Sequence, residues 1–152
     1  MFRTSVLVAL LSFGLLAGCG DNPDNWNELD QALGGQEING CDGTSAAYTD
    51  LRGQASVTIT ANSPWVDPHN ACIGVSTGTD VIWVGNFETH PLVGGVNGTE
   101  DSTSPITEAD PIGTGDTATT TVNFEATDEI TVEPYFCTAH PATMDGVIAV
   151  FR

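Results

Sequence analysis

Tyr135-Phe136-Cys137-Thr138-Ala139-His140-Pro141-Ala142-Thr143-Met144, followed by the apolar run Gly146 to Phe151, is the stretch on which the reading of this 152-residue chain turns. It sets a thiolate, an imidazole and a thioether on one short loop between two strand-like runs. Soft sulfur ligands combined with nitrogen, and a weak axial Met, are the donor set that suits copper. Such a site needs a second histidine from elsewhere in the chain. Asn86-Phe87-Glu88-Thr89-His90-Pro91-Leu92 supplies it as His90, close behind another strand-like run, Thr79 to Val84.

Working outward from that loop, the pattern from Gln54 onward is β. Val57 and Ile59 alternate with Ser56, Thr58 and Thr60, which predicts a half-buried strand. Pro64 and Pro68 break the chain, and Cys72-Ile73-Gly74-Val75 reads as a short strand. Val81-Ile82-Trp83-Val84 is apolar on both faces and reads as a central strand, with Trp83 a core residue rather than an electron relay. Strands resume at Thr121 to Phe124, at Ile130 to Val132 leading into Cys137, and at Val147 to Phe151. Between them, Gly94 to Asp116 is rich in Gly, Ser, Thr, Pro and acid and reads as a long loop. Within it Asn97-Gly98-Thr99 matches a glycosylation sequon, but Asn-Gly is a strong hairpin signal and is read here as a turn. Short strands separated by turn signals, with almost no helical periodicity, predict an all-β fold, a β-sandwich.

The Cys-x2-His-x3-Met loop with an upstream histidine resembles the blue-copper proteins of the plastocyanin, amicyanin and azurin family, the cupredoxins, over roughly residues 53 to 152. The resemblance implies a Greek-key β-sandwich holding one copper per chain. It makes His90, Cys137 and His140 the trigonal ligands and Met144 the long axial one. It also implies a carrier of single electrons between Cu(I) and Cu(II), with a redox protein as donor and another as acceptor. In the plastocyanin-like pattern the residue after the first ligand histidine donates its N–H to the sulfur, and a proline commonly precedes the second histidine. This chain has the two reversed. Pro91 has no N–H to give, so the expectation is that Ala139 supplies the backbone donor to Cys137.

The chain opens with Met1-Phe2-Arg3, a minimal positive region, and an apolar stretch from Ser5 to Leu16 that ends in Leu16-Ala17-Gly18-Cys19. An apolar segment that short, ending in small residues, is a secretion signal rather than a spanning helix. Its end resembles a bacterial lipobox, which implies signal cleavage after residue 18, lipidation of Cys19 and membrane attachment through the acyl chains. The domain organisation expected is therefore a signal over 1–18, a tether over 19–52 and a copper domain over 53–152. Within the tether Trp26, Leu29 and Leu33 recur at helical spacing behind an Asn25 cap with Glu28 three residues on, and Gly34-Gly35 stops the helix. Placement in the cell envelope follows, lipid-anchored. Gly20 rather than Asp after Cys19 points to an outer membrane in a Gram-negative cell, with the domain facing the periplasm; the outer face is the other placement.

All 20 acidic residues follow Cys19, against Arg52 and Arg152 and no lysine, a side-chain charge of about −18 for the mature chain. Such a surface repels nucleic acid and anionic membrane patches and suits a basic redox partner such as a c-type cytochrome. An acid-rich surface also suits saline surroundings. With Cys19 and Cys137 assigned, Cys41 and Cys72 remain as an even pair in an exported chain, for which a disulfide is the default. His69 stands three residues before Cys72 and reads as a surface or core-edge histidine. A hydrolytic pair, with Cys137 as nucleophile and His140 as base, is the enzyme-class alternative. Three residues apart on one tight loop, the two converge on a common metal more naturally than they line up for attack, so no enzymatic activity is expected. The nearer alternative is copper storage or delivery with the same ligands.

Overall fold

Five residues, Ser56–Thr60, show the alternation the sequence predicts, with Val57 and Ile59 buried and Ser56, Thr58 and Thr60 exposed. They form β2 in a computed structural model that describes residues 26–60, 71–106 and 111–152. The signal segment with Cys19, Asn25, and the stretch holding Pro64, Pro68 and His69 lie outside the described residues. The described elements are one α-helix, α1 (Trp26–Ala32), two short 3-10 helices (Ser45–Ala47 and Gly115–Thr117) and nine strands: β1 (Thr49–Asp50), β2, β3 (Ala71–Ser76), β4 (Thr79–Val84), β5 (Leu92–Val96), β6 (Thr99–Glu100), β7 (Thr119–Phe124), β8 (Ile130–Cys137) and β9 (Asp145–Phe151).

The strands form two mixed sheets, in the orders β1-β3-β9-β8-β5-β6 and β2-β4-β7. Parallel pairs join β1 to β3, β3 to β9 and β2 to β4, and the remaining pairs are antiparallel. The core lies between the sheets. Val57, Ile59, Val81, Trp83 and Phe124 from the smaller sheet meet Ile73, Val75, Tyr135, Cys137, Ile148 and Val150 from the larger. Trp83 is central in fact as in expectation: it is fully buried on the middle strand β4, edge-on to Tyr135 at 5.5 Å and to Phe124 at 6.3 Å between ring centroids. Each such ring pair adds about 0.5–1.5 kcal/mol beyond simple burial.

Every residue of β9 is buried. A strand apolar at each position needs cover on both faces, and the chain provides it. Ile148 and Val150 face the inter-sheet core, while Val147, Ala149 and Phe151 join a second cluster with Leu29, Leu33, Cys41 and Tyr48. The segment around α1 therefore lies against the outer face of the larger sheet. Trp26 packs on Phe151 at 4.8 Å and Tyr48 at 5.6 Å, and the Arg52 guanidinium covers the Trp26 and Phe151 rings at 5.0 and 4.9 Å while it pairs with Asp50 at 2.7 Å. Gly74 is required beneath, since a Cβ there would come within 2.6 Å of the Trp26 ring. The predicted stop of α1 is present, with Gly34 and Gly35 at φ 66° and 68° returning their N–H groups to Gln31 and Asp30. Cys41 and Cys72 form the expected disulfide, fixing this outer layer to β3.

The long loop expected over residues 94–116 is partly a hairpin. Leu92–Val96 and Thr99–Glu100 pair antiparallel around Asn97-Gly98, whose φ values of 49° and 78° are those of the turn that Asn-Gly favours. Gly94 and Gly95 hide this strand from a pattern search. They are glycine for space, because a Cβ on Gly94 would strike the Ser104 side chain and one on Gly95 the Thr99 carbonyl.

Candidate metal centre

The ligand loop joins β8 to β9 and is closed at its neck, where the Cys137 N–H donates to the Met144 carbonyl at 2.7 Å. Two consecutive turns fill it. The His140 N–H donates to Cys137 O at 3.0 Å, and His140 O accepts from Thr143 N–H at 3.2 Å and Met144 N–H at 2.9 Å. His140 is thus the hinge between the turns, and its side chain is exposed while those of Cys137 and Met144 are buried.

His90 arrives from the other side of the site. Its N–H donates to Asn86 O at 2.9 Å, and the Asn86 side-chain oxygen accepts from Thr89 N–H at 3.3 Å, so residues 86–90 form a closed turn after β4. Pro91 follows with its ring-fixed φ. Its carbonyl accepts the Thr138 N–H at 3.0 Å, and Leu92 pairs with Cys137, so the two ligand-bearing segments are hydrogen-bonded to each other.

These segments bring three donor atoms together. His90 Nδ1 and His140 Nδ1 are 3.2 Å apart, and Cys137 Sγ lies 3.9 Å from the first and 3.8 Å from the second. His90, Cys137 and His140 form a group that could hold a metal ion. The dimensions can be tested against bond lengths. The in-plane point equidistant from the three atoms lies about 2.1 Å from each, against about 2.0–2.1 Å for a zinc-sized ion to imidazole nitrogen and about 2.3 Å to thiolate sulfur. An ion at bonding distance from all three would be held by the two imidazole nitrogens and the Cys137 sulfur. Met144, the fourth predicted ligand and the third on this loop, is buried in the same core cluster as Cys137.

The expected sulfur donor is not formed. Among the described residues the hydrogen-bonding neighbours of Cys137 Sγ are the two imidazoles, and no hydrogen bond joins it to the Ala139 N–H. Residues 137–140 close a turn through His140 N–H to Cys137 O, with Ala139 exposed at its third position. Pro91, which has no N–H to give, instead accepts the Thr138 N–H through its carbonyl.

Two residues that pattern reading passed over border the site. Asp145, directly after Met144, is buried, its Oδ1 makes no hydrogen bond among the described residues, and burial pushes its carboxyl above the ordinary range. It shares a surface recess with Glu37, Asn97, Pro141 and Ala142. Asn39, from the stretch read as a tether, is 1% exposed and reaches the strands that carry the ligands. An Asn-Gly pair was the available signal for its turn. No helix among the described residues is long and apolar enough to cross a membrane. No protein-family model matches the chain, and no curated protein matches it.

Proposed function

We propose that this chain is a metal-binding all-β protein whose ion sits among His90, Cys137 and His140. More particularly, we read it as a mononuclear blue-copper electron carrier of the cell envelope, with a cupredoxin-like Greek-key sandwich and Met144 as axial ligand. The observation that carries the reading is the Nδ1–Nδ1–Sγ triangle of 3.2, 3.8 and 3.9 Å, whose centre is at bonding distance from all three donors. A His2Cys trigonal set with a weak axial Met on a closed loop is the combination that selects copper over zinc. When bound, copper supplies one-electron exchange between Cu(I) and Cu(II).

The residues of the chain provide what such exchange needs. Cys137 presents its sulfur from the buried end of β8, out of contact with water. The turn about Asn86, the Pro91 to Thr138 bond and the Cys137 to Met144 neck hold the donors in place, so that oxidised and reduced states need little rearrangement. His140, exposed at the rim, is the point of closest approach for a partner. The acid-rich surface favours a basic partner such as a c-type cytochrome. Lipidation at Cys19 would hold the domain at a membrane surface, with the outer membrane as the favoured site. All donors being protein groups, no substrate position is proposed and the chain is read as a carrier, not an enzyme.

Titration of the purified metal-free protein with Cu(II) tests this. The expected result is an intense visible thiolate-to-copper band at one equivalent, which Cys137→Ser abolishes because a hydroxyl is neither soft nor readily ionised. A blue Cys137→Ser protein refutes the ligand assignment. A colourless wild type that binds Cu(I) tightly and resists oxidation establishes storage or delivery in its place.

A further inference from the structure

Asn39 occupies a segment with no place in the metal site by sequence, yet it is among the most buried polar residues. It shares a two-residue turn with Gly40. Ile38 and Cys41 exchange both backbone hydrogen bonds, at 2.9 and 2.8 Å, and φ is 47° at Asn39 and 75° at Gly40. Left-handed values at both central residues define the hairpin turn for which Asn-Gly is preferred. The turn is fastened to β3 through the disulfide between Cys41 and Cys72.

From that fixed position the side chain spans three strands. Its amide nitrogen lies 2.8 Å from Tyr135 O, 3.0 Å from Gly95 O and 3.3 Å from Gly146 O, and its oxygen accepts the Asn97 N–H at 2.8 Å. Tyr135 and Gly146 are register partners at the neck of the ligand loop, two residues before Cys137 and two after Met144. Gly95 lies on β5, the strand that His90 and Pro91 lead into. Asn97 begins the second Asn-Gly turn, whose Gly98 abuts the ligand loop, a Cβ there standing 3.3 Å from the Pro141 ring. One buried amide therefore contacts three of the strands that flank the donor set, β5, β8 and β9.

We propose that Asn39 is a positioning residue for the metal loop, held there by the Cys41–Cys72 disulfide, so that the N-terminal segment helps to set the spacing of His90, Cys137, His140 and Met144. The proposal rests on the metal-site reading above, and its test separates the two. Asn39→Gly keeps the turn, because glycine accepts positive φ, and removes the amide. In the metal-free protein, hydrogen exchange at the Cys137, Thr138 and Met144 amides, which close the loop, is compared with that at Val81 and Trp83 in β4. The loop amides are expected to accelerate at least about tenfold more than the β4 amides. In the copper-loaded protein the rate of metal loss to a chelator should rise by roughly 10–100-fold, with a shifted or broadened charge-transfer band.

An equal acceleration at loop and β4 amides, or an unchanged band and release rate in a copper-loaded variant, overturns the proposal. A wild type that binds no copper sinks the metal-site reading alone, and the exchange comparison still decides whether Asn39 holds the loop. If Asn39→Gly does not fold, the double variant Cys41→Ala/Cys72→Ala frees the turn while keeping the amide. The same selective acceleration is expected there, and its absence counts against the proposal.

Discussion

The disulfide ties the outer layer to the sandwich, and its removal has a calculable consequence. Cys41 and Cys72 are 31 residues apart, with Cα atoms 5.7 Å from each other. Closing a loop of that length removes about 12 cal/mol/K of entropy from the unfolded chain, or about 3.7 kcal/mol at 25 °C. The perturbation should be Cys41→Ala/Cys72→Ala rather than a reductant, which would act in the presence of the free thiol of Cys137. The metal-free protein is the right reference, since a bound ion would add its own binding free energy to the folded state. At a urea m-value of about 1–3 kcal/mol/M the midpoint should fall by roughly 1–4 M. The melting temperature should drop by roughly 10–15 °C. Both cysteines are buried, so the lost sulfur packing adds to the fall rather than offsetting it. A loss below about 1 kcal/mol, with an unchanged m-value, would refute the reasoning, because the unfolded chain would then gain no freedom from opening the loop.

The remaining predictions concern charge, attachment and encounter. Burial first, and then the nearby Asp101 carboxylate, raise the half-buried Glu133 carboxyl above the ordinary range. The unfolded chain therefore gives up this proton first as pH climbs past about 4, and the contribution of Glu133 to stability falls from there up to its folded-state pKa. Glu133→Gln should thus stabilise the protein at neutral pH and leave it unchanged near about pH 3; equal effects at both pH values, read by urea melts, would contradict this. Replacing Cys19 should move the protein from the membrane to the soluble fraction on fractionation, whereas unchanged partitioning would point to a tightly held protein partner. If the signal is removed after residue 18 as proposed, the side-chain charge is about −18; the proposed electron exchange with a basic redox protein should then slow as salt rises from about 0.01 to about 0.1 M, over which the Debye length shrinks from about 30 to about 10 Å. Rates indifferent to salt would assign the acidity to a saline environment.

What was legible in the chain follows the range of each physical signal. Alternation reports one buried face, so β2 was readable from Val57 and Ile59. The donor set was readable because residue chemistry survives without coordinates, and three of its four members converge in space. Pairing partners were not readable, since nothing in Ser56–Thr60 says that it lies parallel to Thr79–Val84. Strand β5 escaped because two of its five residues are glycines placed for clearance, against Ser104 and Thr99, which no periodicity records.

The Ala139 expectation took an available N–H for a donor by proximity along the chain, and no hydrogen bond joins it to the Cys137 sulfur among the described residues. The outer layer was legible from strand burial. A terminal run such as Gly146 to Phe151, apolar at every position, is apolar on two faces and needs two covers. One cover is the opposing sheet, and the second must come from apolar residues outside it. Trp26, Leu29 and Leu33 are such residues, and the helical spacing that marks them out in the sequence is also what aims them at Val147, Ala149 and Phe151. Once that segment is docked, Asn39 and Cys41 are carried against β3, β8 and β9, and the N-terminal stretch becomes part of the surroundings of the strands that carry Cys137 and lead from Met144.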